Sequence, residues 1–363
     1  MGGVSPLASA DRPYRVGLVI PLQGPAGIFG PSCEAVVEMA AAEVNRRDGI
    51  LGRPIDIEVI DGGAPLWQVA ADVARVLRAG RLDALTGWHI SSVRETLTPI
   101  VSGRVPYVYT SLYEGGERTP GVFCAGEIPW LQIAPGLAWL RDTLGLRRWF
   151  LVGDDYVWPH GSAAAARLYC RELGLELVEE VFVPFGTGDF GPVLERVDRS
   201  RAQAVLMLLV GQDAVLFNRQ FAARELHDRA VRFSPLMEEN MLLASGADAT
   251  AGLYVAAAYF NSLATAGAMD LMDAYVAAHG PDGPPLNNAA ESCYEGIRTL
   301  EALHRAADSA DVRTLLARSD SVGYDGPRGA MSMRNGHLQQ RVHLAVAEAH
   351  DFHVIGVLDP IRT

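Results

Sequence analysis

Short apolar runs recur along this chain, each followed by a polar or glycine-rich tip and then by a helical pattern. Tyr14 to Leu22 (YRVGLVIPL) is the first, followed by the loop Gln23 to Gly27 and a helix beginning at Pro31 or Ser32 and running through Val44. Arg53 to Ile60 alternates as a second strand and stops at Asp61-Gly62-Gly63, with a helix from Trp67 to Ala79. Leu82 to Leu85 leads into the tip Gly87 to Ser92 and a helix from Val93 to Val101. Pro106 to Tyr109 leads into Tyr109-Thr-Ser-Leu-Tyr-Glu-Gly115. The rhythm resumes with strands at Arg148–Val152, Leu175–Val183, Ala204–Val210 and Gly252–Tyr259, again with helices between. Apolar runs bounded by turn residues read as strands buried on both faces. Alternation of this kind builds parallel sheets covered by helices, which hold ligands outside the C-terminal ends of their strands.

At 363 residues the chain exceeds one ordinary core, so two domains are expected. No long linker separates the halves, which suits lobes joined by several short crossings. After Tyr259 the pattern is helical at Ala268–Ala278, Asn288–Ala307 and Asp311–Arg318. Tyr324 to Gly329 reads as a turn-rich crossing, Met331 to His337 as a hairpin with an Asn335-Gly336 turn, and His343–Glu348 and Phe352–Leu358 as closing strands. The formal charge of −12 argues against a nucleic-acid partner, and no apolar run is long enough to span a bilayer. Residues 1–11 lack the basic and apolar regions of a signal peptide, so the chain reads as cytoplasmic as written, or periplasmic if a signal has been removed. Its four cysteines, Cys33, Cys124, Cys170 and Cys293, lack zinc or redox spacing and read as buried thiols.

Catalytic and cofactor motifs are missing. Gln23 to Gly27 is glycine-rich but matches neither nucleotide-loop pattern, and there is no HExxH and no Gly-x-Ser-x-Gly elbow. Asp154-Asp155 could be a carboxylate pair, but adjacent residues read better as a loop face. The chain is expected to be a binding protein without cofactor or metal rather than an enzyme.

The ordered set GWHISSVR, YVYTSLYEGGE, GDDYVWP and a closing Gly-Pro-x-Gly-x-Met turn resembles the type I periplasmic-binding-protein fold across residues 14 to 360. More narrowly it is similar to the amide and urea branch: the amidase-operon negative regulator that senses short amides, and urea-type ABC transporter binding proteins. The resemblance implies an α/β architecture of two Rossmann-like lobes, three hinge crossings and a ligand in the cleft between them. Crossings are expected near 126–128, 259–261 and 324–328. They give a first lobe of 14–126 plus 262–324 and a second of 127–261 plus 325–363. Ser91 and Ser111 then stand where the family offers ligand-binding hydroxyls, Tyr109 and Tyr156 match pocket tyrosines, and Trp158 replaces a second aromatic. His89 replaces a Tyr of the amide regulator, Leu112 a Pro, and Pro129-Trp-Leu-Gln132 a Pro-Asn-Gln element.

A small amide or urea needs a donor for its carbonyl, acceptors for its NH₂ and walls that exclude water. Ser91 and Ser111 with nearby backbone can meet the polar needs; Tyr109, Tyr156 and Trp158 can form walls. Each serine could instead be a cap, and each aromatic ordinary packing. His89 could bond a ligand carbonyl, pack on Trp88 or sit in solvent. Glu114 is expected to shape its turn. Glu238 and Glu239 lie where related amino-acid receptors place an acid for the ligand ammonium, or are helix N-terminal acids. Gln212 and Asp213 could also point into the cleft. The implied ligand is thus a small amide or urea, with a branched-chain-type amino acid as the alternative. The implied partner is a regulator or an ABC permease; a homodimer is left open.

Overall fold

A computed structural model describes residues 12–360. Residues 1–11, on which the signal-peptide reading rests, and the last residues assigned to the second lobe, 361–363, lie outside the described residues.

The chain opens with β1 (Tyr14–Ile20), α1 (Gly30–Asn45), β2 (Ile55–Asp61), α2 (Leu66–Arg78), β3 (Ala84–Gly87), α3 (Ser91–Val101), β4 (Tyr107–Tyr109) and β5 (Val122–Cys124). Strands β3, β4 and β5 are buried along their whole length, as strands covered on both faces must be. Helix α2 turns Val69, Val73 and Val76 inward at helical spacing.

The second lobe follows as α4 (Pro129–Leu144), β6 (Arg148–Asp154), α5 (Val157–Leu173), β7 (Glu176–Val183), α6 (Gly191–Ser200), β8 (Ala204–Leu208), α7 (Gln212–Ala223), β9 (Val231–Ser234), α8 (Glu239–Ser245) and β10 (Leu253–Ala257). The chain then returns through α9 (Ala266–His279), α10 (Asn288–Ala307), α11 (Val312–Arg318), β11 (Gly323–Gly326), β12 (Gly329–Arg334) and β13 (His337–Gln339). It ends in the second lobe as β14 (Val342–Glu348) and β15 (Asp351–Leu358).

One sheet has eight strands in the order β11-β12-β13-β5-β4-β3-β1-β2, and the other seven in the order β15-β14-β10-β9-β8-β6-β7. The interior of each is parallel; antiparallel strands close one end. The expected hairpin is present: Arg334 faces His337, and Asn335 and Gly336 both have positive φ (51° and 74°), as a two-residue type I′ turn requires.

The expected crossing at 324–328 is corrected by sheet membership. Residues 323–339 are three strands of the first sheet, so the chain changes sheets at 340–341. Gly326-Pro327-Arg328-Gly329 turns between two paired strands, β11 and β12, rather than between lobes.

Buried polar side chains tie the crossings together. Glu127 on the first accepts from the Ala258 amide on the second at 2.7 Å, and from Asn288 Nδ2 at 3.2 Å. Asn288 Oδ1 accepts from the Tyr259 amide at 3.0 Å and from Arg328 at 3.1 Å. Arg328 reaches Gln340 on the third crossing at 2.5 Å, and Gln340 donates back to the Ala125 carbonyl at 3.0 Å. The Arg328 guanidinium also pairs with Glu291, and both side chains are fully buried.

Candidate ligand-binding cleft

Two strand tips of the first lobe face one loop and one helix start of the second. Gly87 ends β3 with φ 133°, and any Cβ there would strike the Val19 carbonyl oxygen; only glycine lets this tip fold back over β1. The fold-back brings His89 Nδ1 to 2.9 Å from Val19 O and Nε2 to 2.5 Å from the Tyr107 hydroxyl. A carbonyl can only accept, so Nδ1 carries the proton and Nε2 accepts from Tyr107. Burial, with Arg94 nearby, pushes the His89 pKa down to about 4, so the ring is neutral across the physiological range.

Ser111, on the β4 tip, clamps the backbone of His89. Its Oγ accepts from His89 N and donates to His89 O, each at 2.8 Å. Tyr109 OH donates to the same carbonyl at 2.9 Å. Ser91 opens α3 and donates to Glu114 Oε2 at 2.7 Å, while Arg94 one turn later donates to Glu114 Oε1 at 2.7 Å. Glu114 therefore shapes its turn, as its sequence position implied. The Arg94 guanidinium also lies 5.5 Å and 4.9 Å from the Tyr109 and Tyr113 ring centres. With their protons committed, Ser91 and Ser111 have only lone pairs left to offer a ligand. The first turn of α3 leaves the Ser91 and Ser92 amides without an acceptor among the described residues.

The second lobe contributes Tyr156 and Trp158 from the start of α5, with ring centres 6.3 Å apart. It also contributes Leu236, held by a turn in which the Leu236 amide donates to Ser234 Oγ at 3.1 Å. Between the lobes lies a small cavity of about 10 Å³ lined by Trp88, His89, Ile90, Ser91, Ser111, Leu112, Tyr156, Trp158 and Leu236. That is room for about one water molecule, far below the roughly 300–1,000 Å³ of pockets for drug-sized molecules, so the lobes are nearly closed on each other here. No charged side chain lines it. The Tyr156 hydroxyl makes no hydrogen bond among the described residues.

Five of the expected site residues thus meet in one cavity: His89, Ser91, Ser111, Tyr156 and Trp158. Three do not line it. Tyr109 is fully buried behind the tip, where it braces His89. Gln212 is exposed at the start of α7, while the helix turns its neighbour Asp213 inward to accept from the Gly186 amide at 2.7 Å. Glu238 is buried at the N-terminus of α8 and accepts from the Asn288 amide at 2.8 Å. Trp88, Ile90 and Leu236 were not singled out by sequence, although Leu236 follows a strand tip as the others do.

A family model described as periplasmic binding protein matches residues 13–351. The chain belongs to the periplasmic binding protein family. A periplasmic binding protein holds its ligand without transforming it, so the chain is not an enzyme. This one is 23% identical over 350 residues to the Leu/Ile/Val-binding protein homolog 6 of Brucella suis biovar 1, covering 93% of this chain and 88% of that one. Its fold matches an ABC transporter substrate-binding protein from Sphaerobacter thermophilus with TM-score 0.83 and 24% identity, over 96% of this chain and all (100%) of the other. It also matches a solute-binding protein of an ABC transporter from R. palustris in complex with 4-hydroxybenzoate, with TM-score 0.85 and 18% identity over 96% and 97% of the two chains. Among the described residues no helix is long and apolar enough to cross a membrane.

Proposed function

We propose that this periplasmic binding protein is the substrate-binding component of an ABC importer, and that its cargo is a small aliphatic amino acid of the branched-chain type. One observation carries the reading: hydrogen-bond donors and acceptors converge in an apolar-walled cavity between the lobes. The Ser91 and Ser92 amides and the N-terminus of α3 suit a carboxylate. The remaining lone pairs of Ser91 and Ser111 suit an ammonium, and Leu112, Leu236 and Trp158 suit an aliphatic side chain. The name of the Brucella relative points the same way.

A short amide or urea is the second reading. It is favoured by the small volume and by the absence of any carboxylate in the lining to face an ammonium. Calorimetric titration with valine, leucine, isoleucine, butyramide, acetamide, urea, benzoate and 4-hydroxybenzoate separates the readings. Binding of valine or leucine in preference to the others supports the amino acid; binding of amides or urea alone replaces it with the second reading. Benzoates alone would overturn both.

Ser111→Ala should weaken binding of the preferred ligand by about 1–3 kcal/mol, roughly 5- to 150-fold, because it removes an acceptor and frees the clamped His89 backbone. Thermal scans without ligand should shift far less. Unchanged affinity would remove Ser111 from the site.

A further inference from the structure

A second, larger cavity lies against the first. It is lined by the loops Pro21–Ala26 and Gly62–Leu66, by Ile90 and Val93 of the α3 segment, and by Phe185 of the second lobe. Ile90 lines both cavities. Across the cleft the same continuity holds: Tyr156 lines the first and Phe185 the second, with ring centres 5.6 Å apart. Several polar groups of the two loops are used internally. Asp61 accepts from the Leu22 and Gly63 amides at 2.9 and 2.8 Å, and from Gln23 Nε2 at 2.5 Å. What faces the second cavity is therefore chiefly apolar: Pro21, Ala26, Ala64, Leu66, Val93 and Phe185.

We infer that Ile90 is a specificity-determining partition: it limits ligand length by separating the polar cavity from an adjoining apolar subsite able to take an alkyl chain. The inference rests on the ligand position proposed above. Ile90 is suited to this task because it immediately precedes α3, so its side chain projects beside the Ser91 head-group position. The backbone there is extended (φ −65°, ψ 154°) and unstrained for any residue. Its side chain is only half-buried, so shortening it removes the partition without emptying a core position.

The test is calorimetric titration of the wild-type chain and Ile90→Ala with two head-group series. One comprises α-amino acids with straight side chains of increasing length, from 2-aminobutyrate to 2-aminooctanoate. The other comprises amides from butyramide to octanamide. Wild type should bind the short members and lose affinity steeply with length. Ile90→Ala should bind the longest member of the preferred series at least tenfold more tightly than wild type, with short members changed less than threefold. Filling the second cavity in that background, by Ala64→Phe or from its exposed rim by Leu66→Trp, should abolish the gain. Two blocking variants are used so that one failing to fold does not decide the matter. Wild-type binding of short ligands with no length-dependent gain in Ile90→Ala overturns the partition while leaving the site in place, as does a gain that survives both blocks. Failure of every member of both series to bind any variant overturns the ligand position itself, and the partition with it.

Discussion

Replacing Arg328 by methionine is expected to cost about 3–5 kcal/mol of folding free energy, the range for removing one partner of a buried ion pair. Methionine fills similar volume, so the loss is electrostatic rather than a cavity effect. The guanidinium is the cation against which Glu291 and Glu295 are buried, and it also donates to Asn288 and Gln340. Burial already holds Glu291 well above its ordinary value against the lowering by Arg328, and removing that cation raises it further. A carboxyl whose folded-state pKa is raised contributes fully below the unfolded value of about 4.3 and loses that contribution as pH rises through the folded value. The defect should therefore be largest at neutral and alkaline pH and shrink toward pH 4. Urea denaturation at pH 4, 7 and 8 reads both the size and the trend. Adding Glu291→Gln should restore a large part of the loss at pH 7, and strict additivity of the two substitutions would show that they do not interact.

Glu239→Gln should stabilise the protein at pH 8 by about 3 kcal/mol and change it little below pH 4.5. Burial holds Glu239 at about 7 against an ordinary 4.5, opposed by the bond it accepts from the Asn261 amide at 2.8 Å. The folded chain binds this proton more tightly than the unfolded chain does. Stability is thus highest below 4.5, falls as pH rises, and has lost the full contribution above 7, at about 1.36 kcal/mol per unit. Glutamine keeps the oxygen that accepts from Asn261 and has no proton to lose. Glu238 beside it is also pushed well up, by burial and then by Glu239 and Glu127, so removing one charge relieves the next. Parallel stability–pH curves for the two proteins would place Glu239 outside this titration.

Both substitutions act on buried pairings that the sequence does not display, although it singles out Glu239 as a ligand acid or a helix N-terminal acid. Glu127 bonds the Ala258 amide across 131 positions, and Arg328 meets Glu291 across 37; neither pairing leaves a local pattern. The β-α rhythm, by contrast, is written in short apolar runs, and the Asn335-Gly336 turn in two residue types. Strand β5 went unread because three residues carry too little pattern. β11 went unread because Asp325 and Gly326 look like a turn even when paired. In the cleft, His89, Ser91, Ser111, Tyr156 and Trp158 were legible because they stand at strand tips or the helix starts just beyond. Gln212 stands there too, but the rotation of α7 decides which of two adjacent side chains points inward, and spacing from a strand end does not fix that rotation.

The late crossing at 340–341 bears on how the protein is made. Strand β13 is the neighbour of β5, and β14 the neighbour of β10, yet both are encoded after residue 336. During synthesis β5 emerges about 200 residues before its partner, a delay of roughly 10–40 s at about 5–20 residues per second. Throughout that interval the nascent chain carries unpaired strand edges able to template intermolecular β-pairing. Ribosomal pausing or premature termination between β10 and β13 would prolong that exposure, so the chain's hazard of aggregation is set by how quickly its last strands are translated.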